Sequence, residues 1–185
     1  GNVQEFLQNT AKDRNVIDGQ GNIESGGGVY FGSSVARLIV LNVGVVTRLH
    51  PSDYPLLEEL EREGIPVFAV PALETSGIEN TYNSNDMERR ICKPLGFAGA
   101  IQIADLPSVS ARIYAITPII AGEVDLPLLK VLAARGPVAL DIQGFVRVRE
   151  GSALVFRPWA QMAEGLNYVT YLKVDRAEAE LLTGE

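Results

Sequence analysis

Three short stretches of this 185-residue chain carry residue types whose spacing could do chemistry. The first is Ser25-Gly26-Gly27-Gly28-Val29-Tyr30-Phe31-Gly32-Ser33-Ser34, which runs into a helical pattern at Val35-Ala36-Arg37-Leu38. Consecutive glycines ahead of a helix let backbone N–H groups approach a ligand closely, and the helix N-terminus favours negative or strongly polar groups there. The same glycines would also serve as the loose exit of a hairpin. They fit neither Gly-x-x-x-x-Gly-Lys-Ser/Thr nor Gly-x-Gly-x-x-Gly, so neither common nucleotide fingerprint is present.

The second stretch is the apolar run Val138-Ala139-Leu140-Asp141-Ile142 followed by Gln143-Gly144-Phe145-Val146-Arg147. Polar residues directly after a buried parallel strand stand at the carboxyl end of a sheet, where open α/β folds bind ligands. Asp141, Gln143 and Arg147 could equally satisfy one another at a strand end. The third stretch is Asp175-Arg176-Ala177-Glu178-Ala179-Glu180-Leu181-Leu182-Thr183-Gly184. Asp175 can cap a helix with Glu178 as its capping-box partner, so local structure alone accounts for both acids.

The elements that must position these residues follow from periodicity. The run Leu38 to Val46 is nearly continuous and rich in β-branched residues, as for a strand buried on both faces, and implies a parallel sheet. Ser52 to Gly64 reads as a helix, with Ser52 or Asp53 as cap, Pro55 in its first turn and Gly64 at its end, and Pro66 to Val70 as the next strand. Asp-x-Pro-Leu-Leu-x-x-Leu-x-x-x-Gly before a Pro-Val strand occurs at Asp53 and again at Asp125. Because the signature consists of helix-end signals, two units sharing one capping solution explain it better than a duplication. Further strands are expected at Arg112 to Thr117, Val138 to Ile142 and Tyr168 to Val174, and a last helix at Asp175 to Thr183. Residues 14 to 25, with a turn at Asp18-Gly19-Gln20-Gly21-Asn22, and the polar, alternating residues 76 to 97 break the rhythm. They could pair into a small sheet that projects from an α/β body as a lid or a dimer surface.

These three stretches, in this order, resemble motifs of the ribokinase-like carbohydrate kinases of the phosphofructokinase B type. In that family a Gly-Gly motif opening a helix contacts the sugar, matched here by Gly26, Gly27 and Gly28. A later strand ends in Asp-x-Asn-x-Arg or a close variant, matched by Asp141 to Arg147, which makes Asp141 and Arg147 substrate-side candidates. Asn-x-x-Glu-x-x-x-Leu-x-Gly is matched by Asp175 to Gly184. The resemblance implies a three-layer α/β/α domain with a mostly parallel sheet, residues 1–185 forming an incomplete unit of it, and a β-lid built from segments near 14–25 and 76–97. It implies ATP and Mg²⁺ as cofactors and phosphorylation of a hydroxyl on a sugar or nucleoside. Glu178 would order the metal through water, with Asp175 and Glu178 on the ATP side, and two lids could join a homodimer. Such chemistry needs in-line positioning and neutralisation of phosphate charge.

The departures are specific. The family's Gly-Ala-Gly-Asp stretch, which supplies the anion hole and the catalytic base, is not in the chain; Phe97-Ala98-Gly99-Ala100-Ile101 carries no acid after it. The first strand and its sugar-binding aspartate are not recognisable, Phe6 standing about where the acid would. Gly32 occupies a usual Asn position, and Asp175 replaces Asn. The chain alone is therefore expected to be inactive, as the substrate-side part of a longer kinase; a catalytically inactive sugar- or nucleoside-binding module is the alternative.

Composition sets outer bounds. An apolar share of 46% suits one compact domain, and a net charge of −7 with a pI near 4.8 offers no basic field for nucleic acid or an anionic membrane. No apolar run approaches the roughly 18 residues of a membrane span, and the first residues lack the pattern of a signal peptide. Cys92 is the one cysteine, so no intramolecular disulfide or cysteine-based metal site can form, which fits a cytoplasmic protein. His50, the one histidine, reads as an exposed or capping residue in a strand-to-helix loop, Cys92 as a plain strand thiol, Trp159 as packing, and the acids of 58 to 63 as a solvated helix face.

Overall fold

The structure, a computed structural model, describes residues 3–7, 11–17, 23–39, 42–83, 86–108 and 110–184. In chain order they form β1 (Val3–Leu7), β2 (Ala11–Ile17), β3 (Ile23–Gly26), α1 (Gly27–Ile39), β4 (Val43–Leu49), α2 (Glu58–Arg62), β5 (Val67–Pro71), β6 (Gly77–Asn83) and β7 (Asp86–Gly96). There follow β8 (Ala111–Ile116), α3 (Leu126–Arg135), β9 (Val138–Asp141), α4 (Gln143–Val146), β10 (Arg147–Glu150), β11 (Ala153–Phe156), α5 (Met162–Gly165), β12 (Tyr171–Lys173) and α6 (Arg176–Thr183).

Six strands make one wholly parallel sheet in the order β12-β9-β8-β1-β4-β5. On one face Tyr114, Ile116, Val138 and Leu140 pack with Leu128, Leu129 and Leu132 of α3, and Leu181 and Leu182 of α6 lean on the same cluster. On the other face Val43 and Val45 meet Tyr30 and Ala36 of α1 together with Leu60. Helices thus cover both faces, and the three-layer, mostly parallel α/β class expected from the sequence holds. A second, four-stranded sheet has the order β3-β2-β6-β7, with β2 and β6 parallel and the outer pairs antiparallel. Its β2–β3 turn, Asp18 to Asn22, lies outside the described residues. Ile78 of this sheet packs on Ile119, Ile120 and Leu154, which seats it on the loop after β8 and on the β10–β11 hairpin.

Several expectations need correction. Leu38 and Ile39 end α1 with largely exposed side chains, and the strand starts only at Val43. The apolar run straddles two elements because a 13-residue helix, about 20 Å long, is needed to carry the chain back across the sheet. A first strand does exist: β1 sits in the middle of the sheet between β8 and β4, hidden from sequence reading because Gln4 and Glu5 interrupt its apolar character. The expected helix from Ser52 is a 3₁₀ stretch over Pro51–Leu57 before α2, since Pro55 falls inside it and can donate no helical hydrogen bond. Its cap is His50, whose Nδ1 accepts from the Ser52 N–H at 3.1 Å, and not Ser52 or Asp53. The strand expected over Tyr168 to Val174 shortens to Tyr171–Lys173, because Leu166–Tyr168 forms a 3₁₀ turn.

Candidate functional site

The three motif stretches come together at the carboxyl end of the parallel sheet. α1 begins at Gly27 directly after β3, and a Cβ on Gly28 would lie 2.9 Å from Cβ of Thr117, just past β8. Glycine is required there because the helix start is pressed onto the strand end. Gly144 does the same for the next strand: a Cβ would come within 2.4 Å of the Pro118 carbonyl group, so α4 starts hard against the loop after β8. That loop is fixed by buried Glu123, whose Oε2 accepts the N–H groups of Ile119 and Ile120 at 2.8 and 3.4 Å.

Asp141 ends β9 and Lys173 ends the adjoining β12, and their side chains form an ion pair with Nζ–Oδ2 of 3.0 Å. The Gln143 N–H donates to Oδ1 of Asp141 at 3.2 Å. Arg147 takes no part in this cluster. It is fully buried, its carbonyl accepts from the Ala121 N–H at 2.9 Å, and its guanidinium stands 6.0 Å from the Phe156 ring centroid. Neither Nε nor Nη1 has a hydrogen-bond partner. The mutual satisfaction of Asp141, Gln143 and Arg147 considered above therefore holds for the first two alone.

Asp175 and Glu178 form a reciprocal capping box: the Glu178 N–H donates to Oδ1 of Asp175, and the Asp175 N–H to Oε2 of Glu178, each at 2.8 Å. Glu178 is fully buried and its Oε1 has no partner. Burial pushes its carboxyl above the ordinary glutamate value; the Asp175 amide opposes this, the Asp175 and Asp141 charges add to it, and Lys173 opposes it. A buried acid with an unused acceptor, in the field of a second acid and a lysine, is suited to act on a bound cation or its waters. No cluster of three or more metal-ligating side chains occurs among the described residues. The unpaired, buried Oε1 of Glu178 fits one oxygen contact, direct or through water, to a divalent ion.

A cavity of about 210 Å³ opens beside these groups, lined by Ala115, Thr117, Ala139, Asp141, Tyr171 and Lys173 among others. A larger cleft of about 500 Å³ lies at the amino ends of β9 and β12, against Gly136, Pro137 and Tyr168. None of the motif residues lines that cleft, whereas Asp141 lines the smaller cavity. Sequence reading did not single out Lys173, Thr117 or Glu123. The available signals were weak: a lysine and a threonine at strand ends, and an acid one turn after a proline. His50 and Trp159 do as expected, His50 capping the 3₁₀ turn and Trp159 packing with its ring centroid 4.5 Å from that of Phe145, the rings tilted by 51°. Cys92 on β7 donates from Sγ to Oδ1 of Asn80 at 3.1 Å.

An all-parallel six-stranded sheet with helices on both faces, a second sheet seated at one end and acidic motifs at the carboxyl ends of neighbouring strands define a ribokinase-like α/β chain. The comparisons agree, and the chain is similar to kinases of the ribokinase family throughout its length. A sulfate-complex structure of a pyrophosphate-dependent kinase in the ribokinase family matches at 33% identity and a TM-score of 0.92, over 98% of this chain and 65% of that one. A pyrophosphate-dependent kinase of the same family complexed with a pyrophosphate analog and myo-inositol matches at 32% and 0.91, over 98% and 64%. The Arabidopsis thaliana ribokinase complexed with ribose and ATP matches in fold at 19% identity and a TM-score of 0.69, over 100% and 63%. This chain thus spans about two thirds of the length of these kinases. No family model and no curated protein matches it. Among the described residues no helix is long and apolar enough to cross a membrane.

Proposed function

We propose that the chain is the acceptor-side part of a phosphotransferase that moves a phosphoryl group onto a hydroxyl of a sugar, cyclic polyol or nucleoside. The observation that carries this reading is the convergence of Gly28, Asp141 and the Asp175–Glu178 box at the carboxyl ends of β8, β9 and β12. Identities of 31–33% with pyrophosphate-dependent kinases over 98% of the chain support it. Gly26, Gly27 and Gly28 would offer backbone donors to the acceptor, and Arg147 would hold an acceptor oxygen. A buried guanidinium without partners is costly until an electronegative group meets it. Asp175 and Glu178 would serve the donor side, Glu178 ordering Mg²⁺ through its waters; the metal, when bound, neutralises phosphate charge.

ATP is the donor that the motifs imply, while the kinases with 31–33% identity are pyrophosphate-dependent, so pyrophosphate is the competing donor. The four-stranded sheet would act as the lid over the acceptor, and its exposed Ile91 and Leu95 would suit pairing of two lids in a homodimer. A cytoplasmic setting is part of the same reading, supported by the single cysteine.

The test is phosphoryl transfer by the natural polypeptide that contains this chain, with ATP and then pyrophosphate, against myo-inositol, ribose and inosine. Acceptor-stimulated turnover with one donor, lost in Glu178→Gln, is the expected result. Acceptor binding by calorimetry without turnover from either donor would favour the inactive binding module instead.

A further inference from the structure

Arg147 is the largest fully buried side chain among the described residues, at 2% exposure. It stands where α4 passes into β10, opposite Phe156 of β11. Its carbonyl accepts from the Ala121 N–H at 2.9 Å, and the Val146 carbonyl beside it accepts from the Arg157 N–H at 2.8 Å. The residue therefore ties the loop after β8 to the β10–β11 hairpin, and the four-stranded sheet rests on both through Ile78. Its guanidinium is placed unlike the others. Arg48, Arg157 and Arg176 are each more exposed, and each pairs with a carboxylate, of Asp105, Glu150 and Glu180 respectively. No ion pair to Arg147 occurs among the described residues, and its buried Nε and Nη1 have no hydrogen-bond partner. Glu123, the buried acid of the loop that Arg147 supports, turns Oε2 to the N–H groups of Ile119 and Ile120 instead.

A guanidinium keeps its charge inside a protein, so burying one without a counter-charge or bond partners is among the costliest placements a side chain can take. Filling this space needs no charge: a methionine would pack there without that cost. The charge therefore points to a ligand. A neutral hydroxyl would accept one N–H and leave the charge unmet, whereas an anionic oxygen group meets both, through charge-assisted bonds roughly twice as strong as neutral ones. We infer that the ligand received beneath the four-stranded sheet carries a carboxylate or phosphate group and that Arg147 binds it, which narrows the acceptor to a polyhydroxy acid or a sugar phosphate. The chain's net charge of −7 repels anions, so such a preference has to come from a local cation. Phe156, its ring centroid 6.0 Å from the guanidinium, is an apolar wall that keeps water off the contact and so strengthens it. Because Nε and Nη1 are out of reach of solvent, entry requires the four-stranded sheet to lift from Ile119 and Ile120. That the ligand is the acceptor rests on the phosphotransferase reading; the preference for an anion does not, and is measured without turnover.

Calorimetry on the natural polypeptide that contains this chain, with no donor present, compares D-glucuronate with D-glucose and D-ribose 5-phosphate with D-ribose. The charged member of at least one pair is expected to bind at least about tenfold more tightly, as one charge-assisted contact would give. Preference within the glucuronate pair assigns a carboxylate, and preference within the ribose pair a phosphate. Arg147→Met should abolish the preference, and Arg147→Lys should keep part of it. Without ligand, Arg147→Met should also melt at a higher temperature than the parent, because an unpaired buried charge is gone, whereas loss of a purely structural arginine would lower it. Equal binding within both pairs, no binding of either charged sugar, a preference that survives Arg147→Met, or a lower melting temperature of that variant would each overturn the inference. Absence of turnover on every acceptor together with the tenfold preference would sink the phosphotransferase reading and uphold the role of Arg147.

Discussion

The two edges of the six-stranded sheet are built on opposite principles. At one, β5 is preceded by Pro66 and ends in Pro71, residues that cannot donate to a further strand, and its inner side packs against Leu60 and Ile65 through Val67. At the other, β12 carries no proline, all three of its residues are exposed, and two of them, Tyr171 and Leu172, are apolar. The lysine on that edge, Lys173, pairs with Asp141 at 3.0 Å while its side chain stays 60% exposed. The blocked edge lies away from the motif residues and the open edge carries them. The motif chemistry therefore sits beside the unblocked edge strand β12 and away from β5.

The most drastic way to break this contrast is to disable the β12 side chemically. Glu178→Gln keeps shape and can still accept the Asp175 N–H, yet removes the charge; a drop of about 100-fold in turnover is expected, the size seen when one preorganised electrostatic group is lost. Phe68→Ser on β5, a partly exposed side chain, should leave turnover unchanged. A comparable loss from both would mean that the edges do not differ in function. Next in size is Gly28→Ala. Its Cβ would stand 2.9 Å from Cβ of Thr117, so α1 or the end of β8 must move, at a cost of about 2 kcal/mol in denaturant-melting stability and with weaker acceptor binding. Adding Thr117→Gly, which removes the contacting Cβ, should recover part of the acceptor binding, which ties the effect to that contact and not to a general intolerance of helix-start substitutions.

The contrast also shows what the sequence could tell. The finished half was readable where local signals coincide with burial: Leu126, Leu128, Leu129 and Leu132 mark the inner face of α3, and Asp175 with Glu178 marks the start of α6. The strand β1 was not readable, because Gln4 and Glu5 break the alternation although the strand lies at the centre of the sheet. Nor was the β10–β11 hairpin, since Arg147, Arg149 and Glu150 look like a charged loop until the turn at Gly151, with φ of 60°, folds them back onto Ala153–Phe156. Of the site, the motif residues were visible as spacing. The Asp141–Lys173 pair, the Gly28–Thr117 contact and the loop pinned by Glu123 were not, because each joins residues that only strand order brings together.

A third effect is on pH dependence, again confined to the β12 side. Burial raises the Glu178 carboxyl above its unfolded value, so between those two values the native state holds more proton than the unfolded chain. Stability must then fall as pH rises through that window, and the penalty is fully present above the raised value. Urea melts across pH 4 to 8 should show this slope in the parent chain and a flatter profile in Glu178→Gln, with the two curves converging at the acid end. Parallel curves at all pH values would show that Glu178 is not held against its charge, and would weaken its assignment to a cation-ordering role.

The smallest effect separates the two copies of the Asp-x-Pro-Leu-Leu signature, one leading to the blocked edge and the other to β9 beside the open one. At Asp125 the signature works as read: Oδ1 accepts the Leu128 N–H at 2.8 Å and Pro127 falls in the first turn of α3. At Asp53 the turn has already begun at Pro51 under the His50 cap, which pushes Pro55 into the 3₁₀ interior and directs Asp53 to the Thr75 hydroxyl. Asp125→Ala should therefore cost about 1 kcal/mol as the loss of a helix cap, with Asp125→Asn restoring most of it. At Asp53 the position of the helix end should not change on substitution, because the cap is His50; loss there should instead track loss of the Thr75 bond, so Thr75→Val, which also removes the acceptor of the His50 N–H, should cost more than Asp53→Ala, and the double variant no more than Thr75→Val alone. Additive losses would show that Asp53 acts as a cap after all, and that identical signatures fold alike on the two sides of the sheet.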